Sequence, residues 1–393
     1  MKKLAIVTSH PIQYNAPLFR ALAELGGIDV HVFYTWEQSG AETKYDPGFG
    51  RDIAWDIPLL EGYAYSFVRN ISRDPGTHHF RGLINPDLNE SIVAWGADAI
   101  LVFGWSFQSH LACLRYFHGR LPVLFRGDST LLDERPGIRR RARRLFLRWV
   151  FRHIDYALYT GCNNKAYFLR HGLRPDQLVF APHAIDNQRF GDADPDYPQK
   201  AAEWRATLGI APEDLVLLFA GKLEAKKNPL FLLKIAGRVA DPRLKIVFVG
   251  NGALEQELRR TAAGDTRISF LEFQNQSAMP LVYRLGDIFV LPSRGPGETW
   301  GLAANEAMAS GCALILSDKT GGAIDLIREE QNGIIVGTEE WEKASRFVET
   351  LLMDRARLGE LKKASRGHIH NFSYRHIVDA IGKTILQTGT HKK

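Results

Sequence analysis

The chain has 393 residues, 45% of them hydrophobic and 24% charged, enough for two ordinary globular domains. Its net charge of +6 favours an acidic partner, whether phosphate, nucleic acid or anionic lipid, without choosing among them. Cys113, Cys162 and Cys312 are odd in number and far apart, which excludes a disulfide framework or a paired zinc spacing and favours a reducing cytoplasm over secretion. The start, MKKLAIVTSHP, has too short an apolar run for a signal peptide, and no run approaches the roughly 18 residues of a spanning helix. The expectation is a soluble protein, or at most one attached to a surface.

Residues 4 to 7 (LAIV) read as a short buried strand, followed by the loop SHPIQYNAP and a helix through Leu18, Phe19, Leu22 and Leu25. Residues 28 to 34 (IDVHVFY) form the next strand, so this is a βαβ unit and implies a parallel sheet. Residues 38 to 91, rich in Gly, Asp, Pro and aromatics, read as a loop-heavy excursion. Three further apolar strands are expected at 97 to 103, 121 to 127 and 154 to 161, with helices between them. After VFAPHAID (179 to 186) the polar stretch GDADPDYPQ reads as an interdomain linker.

A second series then begins, with strands at 215 to 221, 244 to 250, 268 to 273, 288 to 293, 313 to 318 and 333 to 337. Helices alternate with them, as at Leu230 to Ala240 and Ala253 to Thr261. This pattern predicts two doubly wound α/β domains, residues 1–195 and 196–373, facing a central cleft, with ligands outside the carboxyl ends of the strands. Residues 374–393 form a separate final helix.

Within the second series, GETWGLAANEAMASG (297 to 311) carries two acids. Their spacing places Glu306 roughly 80° round a helix from Glu298 and about 12 Å further along, one acid at its phosphate end and the other deeper. Ala303, Ala304, Ala307, Met308 and Ala309 favour a helix, and Gly311 is suited to end it. The small, glycine-rich entry from Ser293 to Gly297 leaves backbone amides at a positive dipole end, which suits phosphate.

AGKLEAKKN, VFVGNG, DIFVLPS, the two-glutamate stretch, GGAIDLI and NGIIV follow one another in the second half. In that order they resemble the nucleotide-sugar half of the family 4 retaining glycosyltransferases of the GT-B fold. The resemblance covers about residues 215 to 340 and touches the first half through its βαβ unit and VFAPHAID. It implies two Rossmann-like domains, the first binding acceptor and the second binding nucleotide sugar, with the final helix crossing back to the first.

The resemblance also assigns roles. Lys222 and Lys227 take the positions of the cations that clamp the donor diphosphate, Lys222 standing where an arginine is usual. A lysine there supplies a compact charge instead of a bidentate fork. Glu306 corresponds to the acid that accepts from the ribose hydroxyls, and Glu298 to the acid that contacts the donor sugar. The amides of Gly301 and Leu302 would meet phosphate, and Phe273 would lie near the base. Trp300 reads as an aromatic plug and Lys226 as a solvated lysine. Gly250 and Gly252 lack the third glycine and the following acid of a dinucleotide fingerprint, so they read as a tight turn lining the nucleotide site.

The acceptor half offers His10, a catalytic candidate at the end of the first strand, and Arg126 and Asp128 in FRGDST, donor-binding candidates where the family often has a histidine near the donor sugar. Residues 135 to 152, RPGIRRRARRLFLRWVFR, read either as a basic amphipathic helix lying on anionic lipid or as a helix covering the sheet with solvated arginines. No nucleic-acid module accompanies these arginines.

The implied reaction is metal-independent, hexosyltransferase-like retaining transfer from a UDP- or GDP-type sugar to a glycan or glycolipid acceptor, as in polysaccharide biosynthesis. The leaving phosphate oxygen takes the acceptor proton, so no enzymic nucleophile, cofactor or DxD-like metal site is required. A cytoplasmic site at the inner face of the cell membrane goes with it. Two alternatives stay open: a sugar-nucleotide epimerase of the same architecture, and a noncatalytic nucleotide-sugar-binding protein.

Overall fold

A computed structural model describes residues 1–37, 44–46, 49 and 51–387. The chain divides into two compact units, Met1–Glu42, Ile57–His183 and Tyr374–Lys393 forming unit 1, and Thr43–Asp56 and Ala184–Ser373 forming unit 2. The change of unit therefore falls after His183 and not after residue 195. The polar stretch read as a linker lies inside unit 2 and runs into a helix, Tyr197–Thr207.

The strands in chain order are β1 (Lys2–Thr8), β2 (Ile28–Tyr34), β3 (Lys44–Asp46), β4 (Arg51–Ile53), β5 (Ala64–Phe67), β6 (Ala99–Phe103), β7 (Val123–Arg126), β8 (Tyr156–Tyr159) and β9 (Leu178–Phe180). Then come β10 (Leu215–Ala220), β11 (Leu244–Val249), β12 (Ile268–Leu271), β13 (Ile288–Leu291), β14 (Ala313–Ser317) and β15 (Gly333–Val336). Unit 1 is built on a parallel sheet in the order β5-β2-β1-β6-β7-β8-β9. Its central strands are continuous apolar runs because helices bury both faces: Leu4 to Val7 and Ile100 to Val102 have no exposed surface. Leu111, Leu114 and Phe117 from one helix and Leu147, Val150 and Phe151 from another share a core with Val123 and Phe125.

The excursion at 38 to 91 is more regular than its composition implies, though residues 38–43, 47, 48 and 50 lie outside the described ones. It contains the antiparallel pair β3–β4, the edge strand β5 and the helix Leu88–Trp95. β5 is short and partly exposed, which weakens its signal, although YAYSF carries a period-2 aromatic pattern. Its neighbour Tyr63 meets Tyr34 at 2.7 Å between hydroxyl oxygens.

The final helix, Tyr374–Gln387, belongs to unit 1, and residues 388–393 lie outside the described ones. It packs where Gly382 leaves space for Leu25, and Tyr374 donates to the Tyr14 carbonyl at 3.0 Å. The arginine-rich helix spans Ile138–Phe151 and has two apolar sides. Leu147, Val150 and Phe151 face the core. On the other side Ile138, Leu145 and Phe146 are 83%, 68% and 40% exposed. Among the described residues, no helix is long and apolar enough to cross a membrane.

Unit 2 contains a parallel sheet in the order β12-β11-β10-β13-β14-β15. Leu215, Leu217, Phe219, Ile246, Phe248 and Ile315 are fully buried in its core, each burial stabilising the fold by about 1.5–3 kcal/mol.

One buried titratable group sets a pH limit. His110 has no exposed surface; its Nδ1 lies 2.9 Å from the Phe103 carbonyl and its Nε2 3.0 Å from Thr35 Oγ1. Burial pushes its pKa down from 6.5 to about 4. Between those values the unfolded chain binds a proton that the native chain does not, so stability is level above pH 6.5 and declines as pH falls. This residue alone is expected to remove roughly 3 kcal/mol between pH 7 and pH 4. Urea denaturation of the full chain at a series of pH values checks this: His110→Asn should flatten the slope between pH 6.5 and 5 by up to one proton.

Candidate active site

In the unit 2 sheet the chain moves from β10 outward to β11 and β12, then returns to the other side of β10 as β13. The loops after β10 and β13 therefore diverge at their carboxyl ends, the topological switch point at which open α/β sheets bind ligands. These loops are GKLEAKKN (221–228) and PSRGPGETWG (292–301). The Arg294 amide donates to the Lys226 carbonyl at 2.8 Å, and Lys226 Nζ donates to the Gly297 carbonyl at 3.0 Å. Lys226, expected to be solvated, is thus a tie between the two loops. Asn228, buried and at φ 56°, donates its side-chain amide to the Pro292 carbonyl at 3.2 Å.

The two loops bring together Lys227 and Glu298, whose Nζ and Oε2 are 2.5 Å apart. Their side chains are 22% and 8% exposed, and Ser293 Oγ donates to the same carboxylate oxygen at 3.0 Å. Glu298 does not share a helix with Glu306. The helix begins only at Leu302, after Gly301 at φ 93°, so the 80° and 12 Å relation does not apply. A Cβ on Gly301 would stand 2.8 Å from Thr320 Cγ2 and 3.0 Å from Leu291 Cδ2. The turn is also clamped by GGAIDLI: the Gly321 and Gly322 amides donate to the Glu298 and Trp300 carbonyls at 2.8 and 2.9 Å.

Glu306, 2% exposed, lies on the helix Leu302–Ala309. Buried Tyr283 donates its hydroxyl to Glu306 Oε2 at 2.7 Å, which satisfies one oxygen of an acid that would otherwise be costly to bury. Gly301 and Leu302 stand at the helix start, where amides are not used by the helix's own ladder. Trp300 is 3% exposed and donates Nε1 to Asn305 Oδ1 at 2.8 Å, so it is a packed plug with a satisfied nitrogen.

Gly250 and Gly252 let the loop after β11 press on the loop after β10. A Cβ would come 2.2 Å from the Gly221 carbonyl oxygen in the first case and 2.6 Å from that of Leu223 in the second. Lys222 Nζ lies 5.1 Å from the centroid of the Phe49 ring, and Phe49 meets Phe273 edge-on at 4.8 Å. The Phe273 amide donates to Asn251 Oδ1 at 2.9 Å. Phe49 was not found in the sequence because it comes from the distant 43–56 segment.

Unit 1 holds the remaining candidates. The order in which strands are added to its sheet reverses between β1 and β6, which run parallel, and His10 lies in the loop after β1. Ser9 Oγ is 3.0 Å from His10 Nδ1, and the ring meets Trp36 edge-on at 5.4 Å. Arg126 is 6% exposed and donates Nη1 and Nη2 to the Ala181 and Pro182 carbonyls at 2.8 and 3.0 Å. Burial lowers its pKa to about 10, with the Asp128 carboxylate opposing. Arg126 thereby fixes the loop that presents His183, whose Nε2 is 3.7 Å from Asp128 Oδ2. Burial also lowers the His183 pKa. His183 was missed as a candidate, although it stands within VFAPHAID.

Residues 200–368 match the family model described as glycosyl transferases group 1. The D-inositol 3-phosphate glycosyltransferase of Rhodococcus opacus (strain B4) is 31% identical over 97% of this chain and 89% of its own length. The enzyme of the same name from Nocardia farcinica (strain IFM 10152) is 28% identical over 96% and 88%. Among solved structures, Anabaena HepE in complex with UDP and glucose superposes with a TM-score of 0.72 at 16% identity, covering 98% of this chain and 100% of that one. The sucrose-phosphate synthase of Thermosynechococcus elongatus gives 0.71 at 18% identity, covering 99% of each chain. At these identities the solved structures speak to the fold, which is GT-B, with two Rossmann-like domains. The chain belongs to the group 1 glycosyltransferases and is an enzyme of that class.

Proposed function

We propose that the enzyme transfers a sugar, with retention, from a nucleoside-diphosphate donor to a glycan or lipid-linked acceptor. The observation that carries this reading is the Lys227–Glu298 pair at the unit 2 switch point, with buried Glu306 on the helix that follows. Charge on the diphosphate grows at the leaving oxygen as the glycosidic bond breaks. Fixed cations and amides aimed there stabilise the transition state more than the ground state. Lys222, Lys227 and the amides of Gly301 and Leu302 are assigned that task, and they supply it without a metal ion or cofactor. Glu306 accepts from the ribose hydroxyls through its two oxygens. Glu298 holds Lys227 in place before the donor arrives and then accepts from a hydroxyl of the sugar. The leaving phosphate oxygen takes the acceptor proton on the face it departs from, so the new bond forms on the same face. Bound UDP and glucose in HepE, a protein of the same fold, supports a nucleotide-sugar donor.

Acceptor recognition is assigned to unit 1, with His10, Asp128 and His183 as its polar residues and Arg126 fixing the segment that carries His183. The names of the curated relatives make D-inositol 3-phosphate a second acceptor to test. The attachment reading rests on charge and exposure. Residues 135–152 hold eight arginines and no acid, so the rest of the chain has a net charge of −2 against +6 overall. Exposed Ile138, Leu145 and Phe146 add an apolar face to those charges, as an anionic membrane surface requires. The enzyme would act at the cytoplasmic face of the cell membrane.

Two experiments test these assignments. Lys227→Ala and Glu306→Ala should each keep the circular dichroism of the parent and lose at least a hundredfold in turnover. The assay is nucleoside diphosphate release from UDP-, GDP- and ADP-sugars, with lipid-linked glycans or D-inositol 3-phosphate as acceptor. Near-normal turnover in either variant defeats the donor assignment, and a changed sugar nucleotide formed without acceptor identifies an epimerase. Binding without any turnover identifies a noncatalytic protein. In flotation with anionic vesicles at physiological salt, Leu145→Ser/Phe146→Ser should abolish association of the full chain. Parent protein that stays at the bottom of the gradient sinks the membrane reading.

A further inference from the structure

We infer that a basic cavity at the amino ends of β13 and β14 is a second anion site, built for a small ligand bearing phosphate and separate from the donor site. Two cavities of about 440 and 350 Å³ adjoin there, sharing Gly311, Lys362 and Arg366. Both fall within the range of roughly 300–1,000 Å³ typical of small-molecule pockets. Asp287 immediately precedes β13, and Gly311 lies just before β14. Lys227 and Glu298 are in loops at the opposite, carboxyl, ends of the parallel strands.

The lining cations are Arg205, Arg284, Arg355, Lys362, Lys363 and Arg366, and the acid among the lining residues is Asp287. Asp287 is already neutralised. Its carboxylate is 2.7 Å from Lys362 Nζ and 3.4 Å from Arg205 Nη2, and it accepts from the Val216 amide at 3.0 Å. Burial pushes its pKa up, but Lys362 and Arg205 together bring it below the usual carboxylate range. Among the described residues, no carboxylate lies within 4.0 Å of the nitrogens of Arg284, Arg355, Lys363 or Arg366.

Two features show that the fold holds these cations in the cavity. Arg284 is half-buried, donates to the Pro280 carbonyl at 2.7 Å and to the Gly191 carbonyl, and stacks 4.4 Å over Tyr197. Burial first, and then Arg366, lower its pKa, so its charge is held against an opposing field. Arg366 crosses Gly311, where an added Cβ would be 2.4 Å from its Nε. Its Nη2 donates to the Ser310 carbonyl at 3.4 Å. On the helix Arg355–Ile369, positions 355, 362 and 366 lie within about 20° of one face, so the helix aims a row of charge into the cavity. A concave site lined by one sign of charge concentrates counter-ions, and phosphate, with several acceptor oxygens, can bridge guanidinium and ammonium groups. The cavity's size favours a phosphomonoester or a diphosphate over a macromolecular partner.

The test uses calorimetric titration at fixed ionic strength in a Lys227→Ala background, which weakens diphosphate binding at the donor site. Inorganic pyrophosphate and a hexose 1-phosphate are the probes, titrated into this chain and into the same chain carrying Lys363→Ala/Arg366→Ala. One site per chain is expected, at least tenfold weaker in the second chain, with potassium sulfate a poorer competitor than either probe. Whichever probe binds more tightly identifies an inorganic or an organic source. Equal affinity in both chains, no saturable binding, or competition by sulfate as strong as by the probes overturns the site. Should the double variant unfold, Lys363→Gln at an exposed position gives the same comparison.

Discussion

The close approach of backbones at the carboxyl end of the unit 2 sheet is the constraint from which the candidate active site follows. Four loops, those after β10, β11, β13 and β14, meet there in pairs with no room for side chains between them. Gly250 and Gly252 lie against Gly221 and Leu223, and Gly321 lies so near Thr299 that a Cβ would be 1.8 Å from its carbonyl oxygen. These contacts set the path of the 292–301 loop and hence the position of Glu298 opposite Lys227. They also start the helix at Leu302, so that Glu306 points to Tyr283. A Cβ at Gly250, Gly252 or Gly321 would meet main-chain atoms of the neighbouring loop.

The electrostatics of the site depend on that rigidity. Lys227 and Glu298 are mostly buried, and desolvating a lysine and a carboxylate is costly unless the pair is close and its spare lone pairs are occupied. The 2.5 Å contact and the Ser293 hydroxyl meet that requirement. The arrangement holds a cation in place at a switch point, the kind of preorganised charge on which diphosphate chemistry relies. At the other end of the same strands the balance reverses: cations gather round a single satisfied acid, and those not paired with it are held by main-chain carbonyls or left to solvent, not neutralised by a second carboxylate among the lining residues.

In unit 1 the polar residues do structural and positional work together. Arg126 was expected to face the donor, but its guanidinium is spent on the carbonyls of Ala181 and Pro182. What it fixes is the segment carrying His183, close to Asp128. The arginine-rich helix divides its residues in a similar way, one side completing the core and the other leaving apolar side chains among arginines.

The sequence by itself determined the alternation of strands and helices and the membership of the family, and it singled out Lys222, Lys227, Glu298 and Glu306 as candidates. Apolar runs with period and length are local properties, and the ordered motifs survive as strings. Tertiary structure decided the rest. A positive φ at Gly301 ends the loop where helix propensity would have begun the helix earlier, so Glu298 is a loop residue. Lys226 became a tie because the partner carbonyl of Gly297 arrives from 71 residues away. Phe49 and His183 are brought to their neighbours by chain paths whose contacts depend on loop closure, which leaves no periodic mark in the sequence. The basic cavity is the same case: its cations come from the helices Tyr197–Thr207, Met279–Arg284 and Arg355–Ile369, and only their packing makes one site of them.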